Sequence, residues 1–229
     1  GEKINAILAV KDFVDDEFIF MATAKGTVKK TPLSDFSNPR KSGIIAIKLD
    51  NGDFLVGAGV TDGANDIVLV SNGGKAVWFD ENDVRSMGRN ARGVRGMKLV
   101  ENQQVLSLLI ASSDEQSVLV ATENGFGKRT VLSEFRKSGR GTQGVKAIQV
   151  SERNGIVIAA KLVGDHDELM LITTGGVLIR TRVSEIRELG RATQGVTLIN
   201  LSKDEKLSGI EKIVETDQID DDGQDELQI

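Results

Sequence analysis

Two stretches of this chain gather cations without a single acid. Residues 85–98 hold Arg85, Arg89, Arg92, Arg95 and Lys98, and residues 136–146 hold Arg136, Lys137, Arg140 and Lys146. Arg40 and Lys41 stand at the corresponding place earlier in the chain. Arg187 and Arg191 stand at the corresponding place later, diluted by Glu188. The chemistry such groups offer is neutralisation of a polyanion, because Lys and Arg gain free energy by releasing counterions condensed on a phosphate backbone. The residues between them are small, as in Lys137-Ser138-Gly139-Arg140-Gly141-Thr142-Gln143-Gly144. Such residues let backbone N–H groups approach phosphate oxygens as well. A second set lies just upstream of these stretches. Lys30, Arg129 and Arg180 are equivalent to one another, with Trp78 interrupting the series, and Arg182 follows. Lys29 and Lys128 sit beside them, where Val77 and Ile179 stand in the other copies.

Other chemistries find little support. His166 is the one histidine, and in Asp165-His166-Asp167-Glu168 it reads as an exposed turn, since adjacent residues rarely converge on one metal ion. Ser151-Glu152 and Ser184-Glu185 have no base partner in a recognisable order. Asn72-Gly73-Gly74-Lys75 is followed by strand-like residues and lacks the Gly-Lys-Ser/Thr ending of a phosphate loop. Residues 62–66 are too short for a calcium loop. Cysteine and tyrosine are absent, so there is no disulfide framework and no obvious stacking platform. The reading is therefore of a chain without cofactor or metal that contacts backbone phosphates, with any specificity coming from DNA deformability.

What positions these cations is a repeat. Gly26-Thr27-Val28-Lys29-Lys30-Thr31-Pro32-Leu33-Ser34-Asp35-Phe36 returns with the same pattern over 74–84, 125–135 and 176–186. A second phrase, Gly43-Ile44-Ile45-Ala46-Ile47-Lys48-Leu49, returns in step over 93–99, 144–150 and 195–201. A period of roughly 50 residues with strand-like content predicts one small sheet per repeat, arrayed as in a propeller. Each repeat reads as four strands joined by polar turns, with Gly175-Gly176 a tight hairpin turn. In the fourth copy Val177, Ile179 and Val183 share one face, and Arg180 and Arg182 the other.

The expected fold is all-β, with repeats at about 4–49, 54–99, 105–150 and 156–201 and one extra strand at 207–213. That orphan strand is expected to complete a blade begun elsewhere, in the first repeat or upstream. Single helical turns are expected at 34–36 and 184–186. Strand alternation turns Lys29 and Lys128 inward, and they are expected to snorkel out along their stems or to mark a bulge.

The net charge of −5 does not describe the body. Asp217, Asp220, Asp221, Asp222, Asp225 and Glu226 lie in a tail, 217–229, that has no Lys or Arg, and the remainder (1–216) is near neutral. Such a tail reads as a disordered appendage. No apolar run reaches the length of a membrane span, and no membrane partner is expected. Equivalent repeats must bring equivalent loops to one rim, so cationic loops every ~50 residues become a curved basic edge suited to a bent polyanion.

The phrases Ala22-Thr23-Ala24-Lys25-Gly26-Thr27-Val28-Lys29-Lys30-Thr31, Arg85-Ser86-Met87-Gly88-Arg89-Asn90-Ala91-Arg92-Gly93-Val94-Arg95-Gly96, Ala121-Thr122-Glu123-Asn124-Gly125-Phe126-Gly127-Lys128-Arg129-Thr130 and Arg180-Thr181-Arg182-Val183-Ser184-Glu185-Ile186 resemble the C-terminal domain of bacterial DNA gyrase A. The likeness covers 2–216. It implies a β-pinwheel, a propeller relative whose blades exchange a strand, with double-stranded DNA wrapped on the basic rim. It implies a cytoplasmic, nucleoid-associated setting and a partnership with the rest of gyrase A and with gyrase B. The parent assembly would be an ATP-dependent type II topoisomerase, an isomerase that introduces negative supercoils.

Two departures qualify the likeness. The family's Gln-Arg-Arg-Gly-Gly-Lys-Gly box is absent, and about two upstream blades are expected to be missing with it. The family's cleaving tyrosine has no counterpart, so this piece is expected to be non-catalytic, with ATP and Mg belonging to the parent complex. The equivalent domain of topoisomerase IV, which is similar, is the main alternative. A protein-binding propeller is the other; it would have no use for cations along one rim.

Overall fold

A computed structural model describes residues 4–213. The strands come in a repeating order, numbered along the chain. A hairpin of β1 (Phe18–Thr23) and β2 (Thr27–Pro32) precedes β3 (Leu55–Thr61). The hairpin β4 (Asp66–Ser71) and β5 (Lys75–Asp80) is followed by the two-residue β6 (Val94–Arg95) and by β7 (Val105–Ala111). Next come β8 (Ser117–Thr122), β9 (Phe126–Val131), β10 (Val145–Lys146) and β11 (Val157–Val163). The last are β12 (Glu168–Thr173), β13 (Leu178–Arg182), β14 (Val196–Thr197) and β15 (Leu207–Ile213). Among the described residues, helix is confined to four 3₁₀ turns after the hairpins, including Leu33–Phe36 and Val183–Glu185, close to the two expected positions.

Each hairpin turns on a glycine at positive φ: Gly26, Gly74, Gly125 and Gly176 lie at 81°, 75°, 80° and 82°. Glycine reaches this region without steric cost. At the first three a side chain would also collide. A Cβ on Gly26, Gly74 or Gly125 would sit 2.7, 2.6 or 2.6 Å from the carbonyl oxygen of Met97, Ile148 or Ile199. The space beside Gly176 is open to 4 Å. That difference follows from the sheets, which are not built as the repeats are.

The strand orders are β3-β1-β2-β6, β7-β4-β5-β10, β11-β8-β9-β14 and β15-β12-β13. All pairings are antiparallel. Each of the first three hairpins therefore takes two strands from the repeat that follows it. This corrects the expectation of one sheet per repeat and bears out the strand exchange that the likeness implies: a repeat does not fold on itself, because its first and fourth strands cross to the preceding hairpin. The strand at 207–213 joins β12 of the fourth blade, not the first repeat. The fourth blade has no fourth strand among the described residues, which leaves Gly176 uncovered. In the first repeat, 4–16 and 43–49 form no strand, since no preceding hairpin among the described residues receives them. Ile4, Ile7 and Ile45 are accordingly exposed.

The strands β3, β7, β11 and β15 pack one on the next in succession. They form the inner line of the array, and β6, β10 and β14 lie at the opposite, outer edge of their sheets. The core is a series of seams between blades. Phe20, Ala22 and Val28 meet Ile67, Leu69, Val77 and Phe79 between the first two. Val68, Val70 and Trp78 meet Val118, Val120 and Ala160 between the second and third. Leu119 and Ala121 meet Leu169, Leu171 and Ile210 between the third and fourth. No core cluster of described residues joins the fourth blade to the first, so the four blades make an open arc. Residues 217–229, expected to be a disordered tail, lie outside the described residues.

Candidate nucleic-acid interface

The cationic loops are laid along the outer edges of the blades. Loop 85–93 runs beside β2, where Met87 N donates to Lys30 O at 2.9 Å, and then becomes β6. Loop 136–144 runs beside β5, where Ser138 N donates to Trp78 O at 2.8 Å, and becomes β10. Loop 187–195 runs beside β9, where Leu189 N donates to Arg129 O at 2.9 Å, and becomes β14. Parallel bridges Lys30–Ser86, Trp78–Lys137 and Arg129–Glu188 mark the same register three times. Each short outer strand is then hooked to the turn glycine. Gly96 and Met97 both donate to Gly26 O, Ala147 and Ile148 to Gly74 O, and Leu198 and Ile199 to Gly125 O. The equivalence expected from the repeat is thus realised as three loops in one register on the edge opposite the inner line.

Most loop cations are available. Arg40, Lys41, Arg85, Arg95, Arg136, Lys146 and Arg187 are exposed, and Arg89 and Arg191 half-buried. Among the described residues none of these nine side chains is in a hydrogen bond or ion pair. Lys98 is also exposed. Arg40 and Lys41 belong to the first-repeat loop, which has no preceding blade to lie on among the described residues.

Other predicted cations are engaged. Arg92 pairs with Asp50 at 2.5 Å, both largely exposed. Lys137 pairs with Asp66 at 2.7 Å, a bond that raises its pKa above the usual lysine value. Arg140 folds back, its Nε donating to Asp83 O at 2.9 Å and its Nη1 to Arg95 O at 3.0 Å. Arg180 and Arg182, on β13, both face Glu168.

Four residues leave the surface set. Lys29, Lys30 and Lys128 are 0%, 3% and 1% exposed. The expectation that the first and last of these snorkel or sit on a bulge is corrected. Met21 faces Lys29 and Val120 faces Lys128 in unbroken hairpin register. Their ammonium groups end on carbonyl oxygens inside the protein: Lys29 donates to Arg89 O and to Ala46 O (2.7 Å), and Lys128 to Gly190 O at 2.5 Å. Burial lowers both pKa values, that of Lys128 to about 8. Lys30 sits over the Phe18 ring and pairs at 2.7 Å with Glu81, a fully buried carboxylate. Glu81 Oε1 accepts from the amides of Gly63 (2.9 Å) and Asn65 (2.8 Å). Arg129 is mostly covered; it donates to Ile186 O at 2.8 Å and pairs with Asp165, whose pKa that hydrogen bond lowers.

The comparisons with known proteins agree with this architecture. The family described as DNA gyrase C-terminal domain, β-propeller, matches residues 17–62, 65–112, 116–163 and 167–213. Each matched unit begins near a hairpin and ends near the inner strand that joins it. The chain belongs to that family. DNA gyrase A of Pseudomonas aeruginosa is 56% identical over 204 residues, covering 89% of this chain and 22% of that protein. DNA gyrase A of Escherichia coli K12 is 48% identical over 214 residues, covering 93% and 24%. The chain thus spans about a quarter of the length of the curated relatives it matches. A solved DNA gyrase A C-terminal domain superposes with a TM-score of 0.81 at 29% identity, covering 91% of this chain and 70% of that one. A topoisomerase IV C-terminal domain gives 0.84 at 30% identity, covering 89% and 64%. No helix among the described residues is long and apolar enough to cross a membrane.

Proposed function

We propose that this chain is a non-catalytic, DNA-binding and DNA-bending module of a DNA gyrase A protein, and that duplex DNA follows the outer edge of the arc. The observation that carries the reading is the recurrence of unpaired arginines and lysines on loops in one register along three successive blades. Within its assembly the module would hold DNA while the rest of gyrase A and gyrase B supply cleavage and ATP turnover in the cytoplasm. ATP and Mg have no assigned place on this piece. Specificity would rest on how easily a sequence bends, since loop cations at an outer edge meet phosphates before bases.

The topoisomerase IV reading has one observation in its favour, the TM-score of 0.84 with that enzyme's domain. Identities of 56% and 48% to gyrase A proteins favour gyrase. The test is duplex affinity measured against salt. Phosphate-dominated binding falls with a slope of about −0.9 per phosphate neutralised. A flat response would remove DNA as the partner and leave a protein ligand.

A further inference from the structure

We propose that Lys29 and Lys128 are positioning residues: each buried ammonium clamps the backbone of the cationic loop laid over its blade, fixing where Arg89 and Arg191 stand. The consequence for affinity rests on the outer edge being the DNA interface; the clamp itself does not.

The packing of the sheet does not require an ammonium group at either position. Val77 and Ile179 hold the equivalent positions in the second and fourth blades, so an apolar side chain serves the packing there. Burying an ammonium group is costly unless its donors are satisfied. Lysine stands here in two of the three blades over which a cationic loop is laid. Lys29 Nζ donates to Arg89 O, and through Ala46 O (2.7 Å) it also ties down residues 43–49. Lys128 Nζ donates to Gly190 O at 2.5 Å, and beside it Thr130 Oγ1 donates to Leu189 O at 2.6 Å. Both contacts fall in corresponding turns of the loop, Gly88-Arg89-Asn90-Ala91 and Gly190-Arg191-Ala192-Thr193, each closed by a backbone bond from its fourth residue to its first.

The remaining blades complete the pattern. Where Val77 offers no donor, loop 136–144 is braced by its own cations, Lys137 on Asp66 and Arg140 on the carbonyls of Asp83 and Arg95. Over Ile179 no loop is laid among the described residues. A loop fastened from below keeps its arginine unpaired and held in place. A loop fastened from above uses its arginine as the fastener. Preorganised cations lose less side-chain and loop freedom on binding, which is where affinity is gained.

The test uses the 229-residue chain and its Lys29→Met, Lys128→Met double variant, an unbranched apolar replacement without a donor. Amide hydrogen exchange is read without DNA, and affinity for a duplex is read at fixed low salt. Exchange should quicken at 88–92 and 189–193 and stay unchanged at 137–142, the internal control over Val77. Duplex affinity should fall roughly tenfold for the variant measured well below its melting temperature. Unchanged exchange in both clamped loops of a folded variant overturns the proposal. If the double variant does not fold, Thr130→Val removes one bond to the same loop, and quickened exchange confined to 189–193 supports the clamp while none refutes it. If the unaltered chain binds no duplex, the DNA reading falls, and the exchange result still decides the clamp.

Discussion

Loop 85–93 on the first blade and loop 136–144 on the second occupy one register and carry similar charge, yet they spend that charge differently. On the first blade the fastening is internal. Lys29 holds the loop carbonyl, and the Lys30–Glu81 pair locks the seam beneath it. Arg92 pairs with the exposed Asp50, and Arg85, Arg89 and Arg95 are left without partners among the described residues. On the second blade the position beneath is Val77, Trp78 Nε1 donates to Asp66 at 2.9 Å, and Lys137 and Arg140 reach back to hold their own loop. The lesson is that counting cations in a loop overstates its binding power. What counts is how many remain unspent after the loop has been held in place.

The largest predicted effect breaks the internal fastening. Lys30→Met leaves Glu81 buried and unpaired, and should cost about 3–5 kcal/mol by chemical denaturation. The corresponding pair on the third blade, Arg129–Asp165, has an exposed carboxylate, and Asp165→Asn should cost far less than that. Equal losses at the two sites would erase the distinction.

Next comes pH. The folded Lys128 loses its proton near 8, whereas the ordinary lysine value is 10.5. Between those values the unfolded chain binds a proton that the folded chain does not, so this group's contribution to stability rises with pH across that window. The rise is on the order of 3 kcal/mol. Denaturation at pH 7 and pH 10 should show the Lys128→Met variant lacking it. No difference between the two chains would mean that the folded Lys128 keeps an ordinary lysine pKa, and the opposite sign that its pKa is raised.

A smaller effect sharpens the comparison at the DNA. Arg89→Ala and Arg191→Ala should each reduce the salt slope of duplex binding by about 0.9 with little change in melting temperature. Arg140→Ala should leave the slope intact and destabilise by about 1 kcal/mol, the worth of its carbonyl bonds. Interchange of these outcomes would reverse the roles assigned to the two loops.

Much of this was legible in the chain. The recurring Gly26 phrase located every hairpin, and the acid-free stretches located the loops. The all-β content, the 3₁₀ turns and the equivalence of the loops followed from those two signals. The exchange of strands was implied by the likeness to the gyrase domain and not by the repeats themselves, because Val94–Arg95 has the same local pattern whichever hairpin receives it. For the same reason the strand at 207–213 was given the wrong partner. The alternation that turned Lys29 and Lys128 inward was correct, but their partners are carbonyls some 60 residues away. A backbone oxygen has no sequence signature, so snorkelling and a bulge are the two resolutions that the chain alone offers. Lys30 and Arg129 were misread likewise, because Glu81 and Asp165 lie in the following repeat and become neighbours only when blades stack.

The central claim is one of place: DNA lies on the outer edge of the arc. Hydrogen exchange of the chain with and without a duplex long enough to span the blades tests it directly. Slowed exchange at 85–98, 136–146 and 187–196, with β3, β7, β11 and β15 unaffected, is the predicted result. Protection on the inner strands, or on scattered faces with these loops unchanged, would contradict it.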